Sequence, residues 1–414
     1  MVVKVGIDTL AMYTSHYALN LADLAAKRGT DPEKYHTGLG QYVMSVPPPG
    51  EDIVTMAANA AQKALEGIDR NDIEMLLFAT ESSIDQSKAA GIYVHQLLDL
   101  PARCRVVELK QACYSATAAL QLVLPHLREH PNKKVLLIAS DVARYGLATP
   151  GESSQGCGSV AMVLSAQPRI IAFEAEYGVV TENVMDFWRP NYLHHALVDG
   201  KHSSKLYLTM LEHCFLQYQA LSQRGFLDHD YYCYHVPVPR LVEKAHYHLA
   251  KLSGHEQLFS TLQEKQIQYS LQYGRRIGNC YTASLFLAFT SLLDHAKEDL
   301  TGKRIGFYSY GSGCVAEFFS GLIQPAYREA LQPAYHAALL SSRTLLSYAE
   351  YADFYQFNTV EDGSLQEIPH YHTGAFRLAK LHQHKRIYET IVTEPATGGL
   401  VIPLAPKALA QGMS

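Results

Sequence analysis

Three side chains have the types needed for a nucleophile, a general base and a polarising imidazole: Cys113, Glu81 and His235. Cys113 lies in LKQACYSATAAL, after the short extended run RVVELK and before a row of small residues with helical composition. A strand-to-helix junction offers unpaired N–H groups and the positive end of a helix dipole, both of which favour an anion. A free thiol titrates at about 8.5, and each unit of lowering is worth about 1.4 kcal/mol. A helix terminus with a nearby imidazole is therefore expected to ionise it substantially. Taken alone, a lone cysteine in an alanine-rich helix is more simply a buried core thiol. Glu81, in LLFATESSIDQ, directly follows a buried strand, where α/β proteins place their sites. The plainer reading makes it the neighbour of a helix cap at Ser82 or Ser83. His235, in YYCYHVPVPR, follows a tyrosine-rich strand and precedes prolines that hold the chain extended, but it is one of 20 histidines.

Asn279, just before an apolar helix in RRIGNCYTASLFLAF, and Ser312, in the YSYGSG turn, fit close backbone approach to a ligand and fit ordinary turns equally well. GSGCVA lacks the third glycine of a dinucleotide fingerprint, and no GKS or GKT is present. HYH at 246–248, HYH at 370–372 and HQH at 382–384 come without CxxC or HExxH, so no metal site is expected.

Positioning these groups requires an α/β scaffold. Asp52 caps a helix in which Ile53, Met56, Ala57, Ala60, Ala61, Ala64, Leu65 and Ile68 share one face. VVKVGIDTLAMY, EMLLFAT, RVVELK, KVLLIAS and SVAMVLSA read as strands. After about residue 168 a loop-rich stretch, FWRPNYLHHALVDGKHSS, leads to a helix around 205–222. Then follow a strand at YYCYHVPVP, helices from Arg240 and around 283–294, and a strand at RIGFYSYGSG. Pro125 is expected to kink or end the helix after Cys113. The tail, GGLVIPLAPKALAQGMS, reads as peripheral or partly ordered.

At 414 residues the chain is long enough for two or three domain-sized units. A net charge of -5 gives no electrostatic reason to expect nucleic acid, and no apolar run approaches the ~18 residues of a membrane span. The start, MVVKVGIDTL, lacks a signal peptide's layout, and seven scattered cysteines are no disulfide framework; a reduced, cytoplasmic protein is expected.

In order and context, VGIDTLAMY, DIVTMAANAA, ATESSIDQSKAA, ELKQACYSAT, SDVARYG, DFWRP, HVPVPR, IGNCYTASLFL, SYGSGCVAEFF and HAALLSSRTLLS resemble the 3-hydroxy-3-methylglutaryl-CoA synthases of the bacterial mevalonate-pathway type. The resemblance implies a thiolase-like fold: two similar α/β halves in a five-layered αβαβα arrangement. The first half is 1–167, with Glu81 and Cys113. The second is 168–414, with insertions and with His235, Asn279 and Ser312. It implies an acyltransferase that condenses acetyl-CoA with acetoacetyl-CoA through an acetyl-Cys113 intermediate, with Glu81 as base and later acid. His235 would hold acetoacetyl-CoA, and Asn279 and Ser312 would orient the thioester. Tyr145, Asp186, Phe187 and Pro237 match acyl-pocket positions, while Arg240 and Lys244 can meet a CoA phosphate. No cofactor beyond the CoA substrates is implied, and a homodimer is. Gln111 stands where some relatives carry glutamate. Two rival activities share the signatures: a polyketide β-branching synthase acting on acyl-carrier-protein substrates, and an initiating ketoacyl synthase, against which Glu81 argues.

Overall fold

Nine strands make the central sheet: β1 (Gly6–Tyr13), β2 (Ile73–Ala79), β3 (Arg105–Leu109), β4 (Lys134–Ala143), β5 (Gly156–Ser165), β6 (Ile171–Thr181), β7 (Tyr231–Tyr234), β8 (Arg304–Gly311) and β9 (Val315–Ile323). The computed structural model describes residues 3–193, 195–392 and 400–402. The strand order is β7-β8-β9-β6-β1-β5-β4-β2-β3. It reads as two half-sheets with the same plan. In the first, β1 pairs antiparallel with β5, β5 antiparallel with β4, and β4 parallel with β2, which carries β3. In the second, β6 pairs antiparallel with β9, β9 antiparallel with β8, and β8 parallel with β7. The seam is narrow: β1 and β6 share the register pairs Gly6↔Ala172 and Ile7↔Ile171. Glycine is required there, because a Cβ on Gly6 would stand 1.9 Å from the Ile171 carbonyl oxygen.

Six helices flank the sheet: α1 (Ile53–Ala64), α2 (Ala90–Leu97), α3 (Ser115–Glu129), α4 (Gly200–Ser222), α5 (Pro239–Leu252) and α6 (Ser284–His295). Alternation along the strands decides what each half-sheet face meets. Leu76, Phe78, Leu136, Ile138, Ala161 and Val163 pack with α1 and α2, while Leu77, Ala79, Leu137, Ala139 and Met162 join the core that contains α3 and α6. Helix α6 touches β1 and β5 of one half and β7 and β8 of the other, and α4 covers β6 and β9 with α5 behind it. The layers are thus α1/α2, half-sheet, α3/α6, half-sheet, α4/α5. This is the five-layered thiolase-like arrangement.

Asp52 caps α1 as its sequence position predicts, accepting from Val54 N at 2.9 Å and Thr55 N at 3.0 Å, while Thr55 Oγ1 accepts from Asp52 N. Other expectations need correction. Pro125 does not end its helix: α3 continues to Glu129, with Leu120, Val123, Leu124 and Leu127 buried on either side of it. Core burial of that face outweighs the single bond lost at the proline. The stretch read as loop contains a small hairpin, Phe187–Trp188 against Leu197–Val198, and α4 begins at Gly200 because Asp199 caps it. No helix begins at Ser82 or Ser83; the next starts at Ala90. The paired histidines are spent elsewhere: His246 bonds Tyr234, His248 meets Glu212, and His372 stacks on His16. Of the tail, Leu400–Ile402 pairs with Thr390–Val392, and the rest lies outside the described residues.

Candidate active site

In the parallel ladder Ala79 is flanked by Leu109 and Ala139, so the residues leaving β2, β3 and β4 emerge side by side. Glu81 follows β2, Asp141 lies two residues before the end of β4, and Cys113 occupies the turn between β3 and α3. That turn is tight. Ala112 has a left-handed φ of 43°, Gln111 N donates to Ser115 Oγ at 2.6 Å, and Ser115 Oγ donates to Ala112 O at 2.7 Å. The result aims the thiol at the acid: Cys113 Sγ donates to Glu81 Oε1 at 3.5 Å.

Asp141 organises the acid from beneath. Its Oδ1 accepts from Thr80 Oγ1 at 2.7 Å, Glu81 N at 2.9 Å and Ser82 N at 3.0 Å, and also from Ser82 Oγ; its Oδ2 accepts from Thr282 N at 3.0 Å. Burial raises the Asp141 carboxyl to about 6, against the pull of these donors. Glu81 is raised well above an ordinary carboxylate, first by burial and then by the charge of Asp141; the Cys113 bond and Arg189 oppose this. The thiol is also raised well above its ordinary value, by burial and by the charges of Glu81, Asp141 and Asp186. The expectation of a thiolate ionised by a helix dipole and an imidazole is therefore reversed. Burial disfavours the thiolate first, and carboxylates rather than an imidazole supply the neighbouring charge.

Beside the thiol stand Ala143 and Tyr281, with Tyr145 and Phe187 packed against them. The three aromatic rings form a triangle, with centroids 5.8 Å apart for Tyr145–Phe187 and 5.9 Å for the other two pairs. Asn279 Nδ2 donates to Tyr145 Oη at 2.8 Å, while its Oδ1 accepts from Tyr281 N at 2.9 Å and Ser284 Oγ at 3.0 Å. His235 caps β7. Its backbone N–H donates to Tyr308 O at 2.7 Å and its carbonyl accepts from Tyr207 Oη at 2.7 Å. The imidazole is buried and held neutral, its pKa lowered to about 3 by desolvation, and Nδ1 has no hydrogen-bond partner among the described residues. An orphaned buried ring nitrogen is a place for a ligand atom.

A thiol bonded to a high-pKa carboxyl, walled by aromatic rings, is fitted to hold a small acyl group as a thioester and move protons beside it. Comparison with known proteins agrees with this chemistry. Residues 2–168 match the model of the hydroxymethylglutaryl-coenzyme A synthase N-terminal region, and residues 251–355 match its C-terminal region. A hydroxymethylglutaryl-CoA synthase of Enterococcus faecalis is 41% identical over 347 residues, spanning 84% of this chain and 90% of that one. The chain belongs to the hydroxymethylglutaryl-CoA synthase family. A crystal structure of such a synthase complexed with CoA superposes with a TM-score of 0.88 at 41% identity, covering 93% of this chain and 99% of that one. The polyketide biosynthesis 3-hydroxy-3-methylglutaryl-ACP synthase of Bacillus subtilis is 34% identical over 373 residues, covering 84% of this chain and 87% of that one.

Of the residues expected at the site, Cys113, Glu81, Tyr145, Phe187 and Asn279 are joined by direct contacts. Cys113 and Glu81 touch directly, and Tyr145, Phe187 and Asn279 wall the same pocket. Asp186 is buried, accepting from Ser203 Oγ, Tyr310 Oη and Gly313 N, and so fixes the GSG turn while its charge acts on Cys113. Ser312 contributes its carbonyl to a 3.3 Å bond from Gln111 Nε2. Pro237 is half-buried just beyond His235. Arg240 is paired with Glu243, which also holds Arg275 at 3.0 Å, whereas Lys244 is exposed with no ion-pair partner among the described residues. Residue reasoning passed over Asp141, Tyr281 and Arg189. Asp141 was reachable, since it follows KVLLIAS as Glu81 follows EMLLFAT. Arg189, which donates to Glu81 O at 3.3 Å, carries no such local signal.

Proposed function

We propose that the chain condenses acetyl-CoA with acetoacetyl-CoA and water to give HMG-CoA and CoA, in the mevalonate pathway. The observation that carries this reading is the Cys113–Glu81 pair at 3.5 Å, with the thiol packed beside the aromatic triangle. In the first step the Cys113 sulfur attacks the acetyl carbonyl and its proton passes to Glu81, which returns it to the CoA sulfur as the carbon–sulfur bond breaks, so that CoA leaves as the thiol and Glu81 is again a carboxylate. The thiol donates directly to the Glu81 carboxylate, so its proton can move as the sulfur attacks and no standing thiolate is needed. Glu81 then removes a proton from the acetyl methyl group, and the carbanion attacks the ketone carbon of acetoacetyl-CoA. His235, neutral and unpartnered at Nδ1, polarises that ketone oxygen as it becomes an alkoxide. Glu81 returns the proton from the methyl group to the alkoxide, giving the 3-hydroxy group, and water then hydrolyses the thioester to a carboxylic acid and frees the Cys113 thiol. Asn279 keeps Tyr145 against the acyl group, and Lys244 remains available for a CoA phosphate. Both substrates carry their own CoA, and the reading uses no cofactor.

The chain is further read as a cytoplasmic homodimer. Seven free buried cysteines suit a reducing compartment. No helix among the described residues is long and apolar enough to cross a membrane. The edge strand β3, with Val107 42% exposed, offers an unpaired ladder to a second copy. The test mixes the protein with both thioesters and follows HMG-CoA formation. Turnover only when the acetyl group is presented on a carrier protein would transfer the assignment to the polyketide reading, to which the Bacillus relative belongs.

A further inference from the structure

Glu317 is buried in the middle of β9, in register with Ser309 on β8 and Val179 on β6, and takes no part in the chemistry above. Its carboxyl accepts a hydrogen bond from Tyr114 Oη at 2.6 Å and another from Gln121 Nε2. Tyr114 adjoins the nucleophile, and Gln121 lies seven positions further along α3, on the same helix face. Burial raises the carboxyl to about 7 while these two donors pull it down, and no cation among the described residues neutralises it. The same contact is close elsewhere: a Cβ on Gly311 would stand 2.6 Å from both Gln111 O and Tyr114 Cβ, and Gln111 Nε2 reaches Ser312 O. The Cys113 turn belongs to the first half-sheet, and β8 and β9 to the second.

We propose that Glu317 is a positioning residue for the nucleophile, tying the Cys113 turn and the first turns of α3 to the opposite half-sheet through Tyr114 and Gln121. A buried acid held by two neutral donors adds little stability compared with an apolar side chain of similar size. Its contribution is to register: the sulfur must meet Glu81 on its own half and the residues of the GSG turn on the other. Displacement by about 1 Å can cost about 100-fold in rate. The inference rests on acetyl transfer to Cys113 as proposed above.

The test is pre-steady-state acetylation of Cys113 at saturating acetyl-CoA, followed by intact mass, with Tm and iodoacetamide alkylation of Cys113 measured in parallel. Glu317→Leu removes both bonds and is expected to slow acetylation about 10- to 100-fold in the protein that remains folded at the assay temperature, as fixed by the Tm measurement. Glu317→Gln keeps an acceptor for Tyr114 and, with the Gln121 amide turned, a second bond; it should stay within about 3-fold of wild type. Tyr114→Phe, which cannot disturb the fold by volume, should slow acetylation by an intermediate amount. A Glu317→Leu or Tyr114→Phe protein that acetylates at the wild-type rate overturns the proposal, as does a Glu317→Gln protein as slow as the leucine variant. Should wild type itself take no acetyl group, the functional reading falls, and the inference is decided by alkylation. Rates differing at least about 3-fold between wild type and Glu317→Leu support it, and equal rates overturn it.

Discussion

Glu81 and Cys113 share one proton inventory, and their substitutions should separate the two half-reactions. Cys113→Ser is expected to form no acetyl-enzyme, read by intact mass after acetyl-CoA. Glu81→Gln should still take the acetyl group, slowly, but lose condensation by about 100- to 10,000-fold, the usual worth of a positioned base. Because Glu81 works as a base from a raised pKa, activity should fall as pH drops through a midpoint above the ordinary carboxylate value of 4.5, and that limb should vanish in Glu81→Gln. The linked stability effect has a definite sign. A folded-state pKa above the unfolded one means ionisation favours unfolding, so stability present below the unfolded pKa is lost as pH rises through the folded value. Glu81→Gln should therefore raise Tm at pH 8 and lose that advantage toward pH 4. His235, held neutral down to about 3, contributes no limb between pH 5 and 8. Its alanine variant should mainly raise the KM for acetoacetyl-CoA.

At the scale of elements, the caps and strand ends decide where these groups arrive. Asp52 fixes the start of α1 and receives Tyr388 Oη at 2.6 Å, and it makes no hydrogen bond or ion pair with Cys113 or Glu81 among the described residues. Asp52→Ala is expected to cost about 1 to 2 kcal/mol, seen by urea denaturation, while acetylation per folded molecule stays unchanged. Helix α3 shows the opposite relation between local rule and outcome. Its proline lacks an N–H, yet the helix runs through because the leucines around it are buried against β4 and β2. The hairpin 187–198 had no readable strand signal either. Two-residue strands carry no periodicity, and this one exists because Phe187 packs on Tyr145 and Tyr281.

For the molecule as a whole, the site is divided between halves. Glu81, Cys113, Asp141 and Tyr145 come from the first, and Phe187, Asn279 and Tyr281 from the second, with α3 and α6 packed between the half-sheets. Holding that geometry falls partly to the seam between β1 and β6. Gly6→Ala would force the Ile171 carbonyl away from a Cβ placed 1.9 Å from it. The expected loss is about 1 to 3 kcal/mol in denaturant, accompanied by slower acetylation in the protein that remains folded, since the two halves would shift against each other.

The sequence by itself determined what depends on near neighbours. The period of Ile53 to Ala64, the apolar runs of β2, β4 and β5, the Asp52 cap, and the placing of Glu81 and Cys113 just past strand ends are all set within a few residues of chain. Tertiary structure decided what depends on residues remote in sequence and adjacent in space. Whether Cys113 rests as a thiol or a thiolate is one case, for it is fixed first by burial and then by Glu81, Asp141 and Asp186 converging from separate segments. The buried role of Asp186, the passage of α3 through Pro125 and the tie from Glu317 to Tyr114 are others. Burial and charge act through space, and a linear pattern records neither until the chain has closed around them.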